Sequence, residues 1–196
     1  YHMDKIMLQF FTDSETLGVF VLPQRIMALF MVLPAALTTI LSPVFSEFYN
    51  KNQFSRIRVL SQKAVRIISI YLLPLFMIMF VLSSFILESV FGPDSNRSSE
   101  IIKIMIITTY INAVRYIYSI QLISTGYVGW AFWINFQALI INTILNLIFI
   151  PNNIFGITMF GWGATGAAIA TLISIFITFL IQIFAVYSIT QTIFYF

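Results

Sequence analysis

Long apolar stretches make up most of this chain, and short polar segments separate them. Five stretches are long enough to cross a bilayer, at about residues 16–43, 65–91, 100–125, 131–150 and 164–187. A spanning helix needs roughly 20 predominantly apolar residues, whereas a β-barrel would show short strands of alternating polarity. The pattern therefore predicts an all-α polytopic membrane protein with about five full transmembrane helices.

A shorter apolar segment, MDKIMLQFF at residues 3–11, precedes the first full span. It is too short to cross a bilayer, and we interpret it as the end of a partial helix. We expect residues 1–196 to form a single transmembrane helical lobe, a fragment of a larger membrane protein. Pro34 and Pro74 lie inside predicted spans and predict kinks, because proline removes a backbone hydrogen bond.

Basic residues are concentrated in one short segment between two of the spans. Of the ten Lys and Arg residues, five lie between positions 51 and 66: Lys51, Arg56, Arg58, Lys63 and Arg66. Apolar residues recur at helical spacing among them, so residues 46–66 are predicted to form an amphipathic cytoplasmic elbow. We favour contact with anionic membrane lipids over a substrate site in this segment.

The same basic segment orients the chain, since short loops rich in Lys and Arg stay on the cytoplasmic side. Alternation of the spans then places Asp13, Pro93 and Gly156 outside and Tyr127 inside. The C-terminus of this chain is expected to be cytoplasmic. The predicted location is the cell (plasma) membrane, crossed several times.

The composition excludes several classes of protein. Hydrophobic residues make up 60% of the chain, charged residues make up 9%, and the mean hydropathy is +0.96, too apolar for a soluble domain. The net charge of +3 is small enough to reflect loop topology, so no nucleic-acid partner is expected. Without cysteine, and with His2 as the lone histidine, we expect no metal site and no cofactor.

A membrane enzyme is also not expected. Glycosyl or phosphoglycosyl transfer requires clustered carboxylates or histidines near one membrane face. The acidic residues considered for this role fall on opposite sides of the predicted membrane: Glu47, Glu88, Asp94 and Glu100. We therefore predict no catalytic residues.

Polar residues form stripes on three consecutive spans, because positions i, i+4, i+7 and i+11 of a helix share a face. The stripes are Thr108, Asn112, Arg115 and Ser119, then Asn135, Asn142 and Asn146, then Thr171, Ser174, Thr178 and Gln182. They are either interhelical hydrogen bonds or the wall of a hydrated cavity. Arg115 favours the cavity, because arginine keeps its charge inside the membrane. The cavity candidates from these stripes are Arg115, Asn112, Asn135, Asn142 and Asn146.

Two further charges lie within the first predicted hairpin. Asp4 precedes the turn at residues 12–16 by about eight residues and Arg25 follows it by about eight, so an antiparallel pair of helices would place them level. One interpretation is a buried ion pair that joins two helices. The other is a coupled site in which protonation of Asp4 frees Arg25 for an anionic substrate. Asp4 is thus the ion-coupling candidate, and Arg25 is a further substrate-binding candidate.

The last span begins with small residues at helical spacing. Gly163 and Ala167 are four residues apart, as are Gly166 and Ala170. This spacing predicts close packing against another helix. The segment does not follow a strand and lacks the Lys-Ser/Thr of a phosphate-binding loop.

Three stretches, taken together, resemble the second half of polysaccharide flippases, in the superfamily that also holds lipid II flippases and multidrug/toxin extruders. The first is MDKIMLQFF followed by LGVFVLPQRIMALFMVLPAALTTILSPVFSEFYNKN, the second is ILESVFGPD, and the third is NTILNLIFIP with GWGATGAAIATLIS. The family positions matched in the first stretch are Asp4, Gly18, Phe20, Arg25, Pro34, Pro43, Ser46, Glu47 and Tyr49.

The resemblance covers essentially the whole chain and implies a larger architecture. The chain would run from the end of helix seven to helix twelve of a fourteen-helix transporter, as its second lobe. Two six-helix lobes would enclose a central cavity that opens alternately to each side. The partners implied are the missing first lobe of the same protein and membrane lipids around both lobes.

The implied activity is the flipping of a polyprenyl-diphosphate-linked oligosaccharide for export of cell-surface polysaccharide. Arg25 matches the family's basic position, and a cation in the cavity suits a diphosphate. The alternatives are a cation-coupled multidrug extruder of the same superfamily and a non-transporting membrane scaffold. The mainly basic charge within the membrane favours an anionic substrate over a cationic drug.

Overall fold

The structure of the chain, a computed structural model, describes residues 2–91, 96–154 and 156–190. The elements are α1 His2–Phe11, α2 Ser14–Phe30, α3 Val32–Asn50, α4 Phe54–Phe91, α5 Asn96–Ser124, α6 Val128–Phe149, the strands β1 Asn153–Ile154 and β2 Ile157–Thr158, and α7 Gly163–Thr190. The two strands form a small antiparallel hairpin. Five described segments are long and apolar enough to cross a membrane. The predicted all-α polytopic class, with five spans and a short first helix, is confirmed.

The first span consists of two helices. The sequence predicted one kinked helix from residue 16 to residue 43, but α2 ends at Phe30 and α3 begins at Val32. Pro34 has no N–H to donate to the carbonyl of Phe30, one turn earlier, so the helix breaks at this point. The span also extends beyond the predicted end, because α3 continues to Asn50.

Residues 46–66 do not form a separate element. They comprise the last turn of α3, a turn at residues 51–53 in which Asn52 has a φ of 54°, and the beginning of α4. The second span therefore begins at Phe54 and not at Val65. The predicted outer turn around Pro93 lies outside the described residues.

The contacts define two ends of the helical lobe. At the first, which we call the basic end, Ser46 Oγ donates to the carbonyl of Ser124 at 2.8 Å, and the rings of Tyr49 and Tyr127 are 6.2 Å apart. The turns at residues 51–53 and 125–127 thus lie together. At the opposite end, which we call the hairpin end, Ser98 Oγ donates to the carbonyl of Val19 at 3.1 Å. The first span (α2 and α3) and the third span (α5) therefore run in the same direction, and α4 between them runs antiparallel to both, as the alternation of loops requires.

Helix α5 lies at the centre and packs against α2, α3, α4 and α7. Its inward face is fully buried, with Ile102, Ile117 and Leu122 at 0% exposure. Helix α7 packs against α5 on one side and against α6 on the other. The small residues at its start allow the close approach that their spacing predicted. A Cβ added to Gly166 would lie 2.6 Å from the carbonyl oxygen of Phe149.

Replacing Gly166 by Ala should destabilise the lobe. The added methyl group meets a backbone oxygen of α6, so the two helices must separate. Overpacking of this kind costs about 1–3 kcal/mol. Gly129, in α6, has no neighbour within 4 Å of its ideal Cβ, so Gly129→Ala is the matched control and should be tolerated. Thermal denaturation of both variants in detergent checks the difference, and equal melting temperatures would contradict the tight α6–α7 contact.

Candidate functional site

A cavity of about 490 Å³ opens between α1, α2, α5 and α7. These helices bring polar and apolar side chains to one wall. The polar contribution consists of Asp4, Lys5, Gln24, Arg25, Thr108, Thr109, Asn112, Tyr116 and Thr171. Methionines supply much of the apolar part, namely Met27, Met31 and Met105. Methionine is flexible and polarisable, and it suits a surface that must adapt to varied ligands.

The accessible charge on this wall is positive. Arg25 is exposed and Lys5 is half-buried, and both line the cavity. Arg25 lies in the second half of α2, far enough along the span to be inside the membrane. The side-chain oxygen of Gln24, beside it, is buried and has no hydrogen-bond partner among the described residues. Arg25 and Lys5 therefore offer N–H donors and positive charge to a ligand with anionic oxygens, whereas the Gln24 oxygen can only accept a hydrogen bond, for example from a ligand hydroxyl.

Asp4 lies at the same wall but its carboxylate is fully buried, with 0% exposure. Asn146 Nδ2 donates to Asp4 Oδ1 at 2.6 Å, and the hydroxyl of Thr171 lies 3.2 Å from Asp4 Oδ2. Asn142 Nδ2 donates to Thr171 Oγ1 at 3.3 Å, and Asn146 Nδ2 lies 3.1 Å from Asn142 Oδ1. We call these four residues, from α1, α6 and α7, the Asp4 cluster.

The hydroxyl of Thr171 cannot satisfy all of its neighbours at once. It lies 2.9 Å from the carbonyl oxygen of Ala167 and 3.2 Å from Asp4 Oδ2, yet it has one hydrogen to donate. When it donates to Ala167, a proton on Asp4 Oδ2 can complete the contact with Thr171 Oγ1. When Asp4 is ionised, the hydroxyl can turn to the carboxylate. The arrangement therefore accommodates Asp4 in either protonation state.

The chemistry of the Asp4 cluster suits one positive charge. It holds one carboxylate, and its other groups are neutral amides and a hydroxyl. The side-chain oxygen of Asn146 is buried and has no hydrogen-bond partner among the described residues. Such a set can bind a proton or a monovalent cation that prefers oxygen ligands. Among the described residues, no group of three or more His, Cys, Asp or Glu side chains could hold a metal ion.

The predicted ion pair between Asp4 and Arg25 is wrong, although both residues reach the same cavity. The carboxylate of Asp4 contacts Asn146 and Thr171, and no ion pair joins it to Arg25 in the described structure. The equal depth that the sequence predicts for Asp4 and Arg25 is compatible with their lining one cavity. The rotation of α1 about its own axis, which points Asp4 at α6 and α7, could not be read from that depth.

Arg115 has polar partners beside the cavity wall and is not among the residues that line it. Its Nε donates to Asn112 Oδ1 at 3.2 Å and its Nη1 donates to Asn135 Oδ1 at 3.1 Å. Asn112 itself does line the cavity. Arg115 therefore joins α5 to α6 and orients Asn112, so its connection to the cavity runs through that side chain.

The six predicted cavity residues and Asp4 fall into three groups. Arg25 and Asn112 line the cavity, Asn142 and Asn146 belong to the Asp4 cluster behind it, and Arg115 and Asn135 lie to one side. Interhelical hydrogen bonds and the cavity wall thus both draw on the polar stripes, and Thr171 takes part in both. On α7, Ser174 and Thr178 donate to carbonyls of their own helix. These bonds neither join two helices nor line the cavity.

Sequence reasoning missed Lys5, Gln24 and Thr171 as members of the site. Thr171 was recognised in a polar stripe, and its position four residues after the small Ala167, on the face predicted to pack closely, was the available signal. Lys5 directly follows Asp4, yet consecutive residues point in directions about 100° apart on a helix. Only the placement of α1 against both α2 and α7 shows that both residues reach one wall.

Comparison with known families gives one match. The family model described as MatE matches residues 2–148, which is more than half of the chain and includes α1 to nearly the end of α6. No curated protein matches, and no solved structure matches.

Proposed function

The chain belongs to the MatE family of membrane transporters, in the multidrug/oligosaccharidyl-lipid/polysaccharide exporter superfamily, and we propose that it is part of a lipid-linked oligosaccharide flippase. In this proposal the protein moves a polyprenyl-diphosphate-linked oligosaccharide across the plasma membrane. The observation that carries the proposal is the charge of the cavity wall. Lys5 and Arg25 line it, while Asp4, the one carboxylate among the described residues of the lining, is buried in the Asp4 cluster.

A diphosphate fits this wall by its chemistry. Arg25 can donate two parallel hydrogen bonds to a phosphate, and Lys5 adds a second positive charge. Both interactions are strengthened in a cavity that membrane and protein shield from water. The sugars would contact the hydroxyls and amides of Thr108, Thr109 and Asn112 on α5. The polyprenyl tail would stay in the lipid beside the lobe.

The Asp4 cluster would couple this movement to an ion gradient. A proton or monovalent cation bound at Asp4 removes a negative charge that lies on the same wall as Lys5 and Arg25. Release of that ion leaves a carboxylate able to compete electrostatically with the substrate for the two basic side chains. A bound ion shifts the equilibrium between two conformations of the protein only if it binds one conformation more tightly than the other.

The orientation that we propose places the basic end in the cytoplasm. The Lys and Arg residues of positions 51–66 lie there, and α7 runs from the hairpin end towards it. The chain would form one lobe of the transporter, and the opposite cavity wall would come from the first lobe of the same protein. A multidrug extruder is the competing activity, but a cationic drug would meet two cations at this wall.

The test is complementation of cells that lack their own flippase. They would express the full-length protein that contains this chain, and both surface polysaccharide and drug resistance would be measured. Restored polysaccharide export with unchanged drug resistance is the expected result. Increased drug resistance without polysaccharide export would instead identify an extruder, and neither phenotype at normal expression would support the scaffold.

A further inference from the structure

We propose that a groove at the basic end, separate from the cavity, binds the headgroup of an anionic phospholipid. The groove has a volume of about 350 Å³. It lies between the end of α3 and the beginning of α4, and six residues line it: Phe48, Ser55, Arg56, Val59, Leu60 and Lys63. We call it the headgroup groove.

The first argument is the charge of the headgroup groove. Arg56 and Lys63 are both exposed, and neither side chain forms an ion pair or hydrogen bond with the described residues. The nearby carboxylate of Glu47 is already occupied, because Lys51 Nζ lies 2.6 Å from it. Arg56 and Lys63 are seven residues apart, which is about two helical turns or roughly 10.5 Å along one face of α4, so their long side chains can approach one phosphate group from two sides.

The second argument comes from how α4 begins. A helix carries a partial positive charge at its N-terminus, where the first N–H groups have no partner within the helix. The first turn of α4 contains no acidic residue that would neutralise this charge. Ser55 and Arg56 lie in that turn and in the headgroup groove, so the partial charge of the helix terminus adds to the charge of Arg56.

The third argument is position along the membrane normal. Helix α4 has 38 residues, a length of about 57 Å, whereas the hydrocarbon core is about 30 Å thick. Its outward face changes from basic to apolar after Arg66, since Ile67 is 42% exposed and Ile70 is 62% exposed. The headgroup groove therefore lies at the depth of the lipid phosphates, above the acyl chains.

The apolar part of the headgroup groove supports a lipid over a free anion. The guanidinium of Arg56 lies 5.7 Å from the ring centroid of Phe48, which fixes the cation beside an apolar wall. Val59 and Leu60 continue that wall along α4 towards the apolar face. A phosphate with attached acyl chains would fill both parts, and we commit to a phosphatidylglycerol-type lipid as the occupant.

The experiment measures lipid binding to the purified full-length protein in detergent by native mass spectrometry, with thermal stability as a second readout. Phosphatidylglycerol should bind and raise the melting temperature, while phosphatidylcholine should do neither. The double variant Arg56→Gln/Lys63→Gln should bind phosphatidylglycerol about 30-fold more weakly, because each Lys or Arg near an anionic lipid contributes roughly a factor of five. Val59→Glu, which places a carboxylate in the headgroup groove, should also weaken binding of phosphatidylglycerol.

The matched control is Arg66→Gln, compared with the single groove variant Lys63→Gln. Each removes one exposed charge, but Arg66 lies outside the headgroup groove, so only Lys63→Gln should weaken binding, about five-fold. If the control loses as much affinity as the groove variant, the attraction is diffuse and the proposal is overturned. Equal stabilisation by glycerol phosphate would show a soluble-anion site and overturn the lipid assignment. Unchanged binding in both groove variants would overturn the site itself.

Discussion

Replacing Asp4 by Asn should leave the protein folded while reducing ion-driven transport by roughly 10- to 100-fold, the usual range of a coupling free energy. The side chain of Asn has nearly the shape of that of Asp. Its oxygen can accept from Asn146 Nδ2 and its amide can donate to Thr171 Oγ1, at the two contacts that Asp4 makes. It cannot, however, take up a proton or balance the charge of a cation. Transport assays in proteoliposomes with an imposed ion gradient measure the loss.

The control for this experiment is Asp4→Ala. It removes one of the two acceptors of the buried Asn146 Nδ2, which keeps Asn142 Oδ1, and it opens a space beside Thr171, so about 2–4 kcal/mol of stability should be lost. Yield and melting temperature therefore separate a structural role from coupling. Normal gradient-driven transport by Asp4→Asn would show that Asp4 only holds α1 against α6 and α7. That outcome would contradict the coupling role of Asp4 but not the proposed flippase activity.

Replacing Arg25 by Ala should reduce flipping of the diphosphate-linked substrate by about 10- to 150-fold, with no loss of folded protein. The guanidinium is exposed to the cavity and forms no hydrogen bond with the described residues, so its removal leaves no buried group unsatisfied. A hydrogen bond to a charged group contributes about 1.5–3 kcal/mol, which corresponds to that range. Export of surface polysaccharide at matched expression is the measurement.

Two further variants make the result specific. Arg25→Lys keeps the charge but loses the paired donors, and it should retain part of the activity. Arg66→Ala removes a cation outside the cavity and should have little effect. Full activity in Arg25→Ala would mean that the cavity does not bind the diphosphate through this residue. Equal losses in Arg25→Ala and Arg66→Ala would point to a general effect of charge on membrane insertion.

The behaviour of Arg115 shows how far sequence patterns reach. The polar stripe on α5 placed Asn112 and Arg115 on one side of that helix, and hydrogen bonds between them and to Asn135 agree with that placement. The stripe could not show where the cavity ends. That boundary lies between Asn112, which lines it, and Arg115, which does not. Helical periodicity gives the direction in which a side chain leaves the axis of its own helix. The extent of the cavity wall depends on how four helices are placed relative to one another.

By itself, the sequence determined the number of spans, the alternation of their direction, a distortion of the helix near Pro34 and the concentration of basic charge at one end. These properties follow from the length of apolar runs and from local backbone chemistry, which do not depend on distant residues. The tertiary structure alone decided which partners Asp4 has and which side chains share the cavity. The reason is physical, because packing sets the rotation of each helix about its own axis. The same apolar pattern on α1 is compatible with a rotation that would point Asp4 at Arg25 and with the observed one, which points it at Asn146 and Thr171.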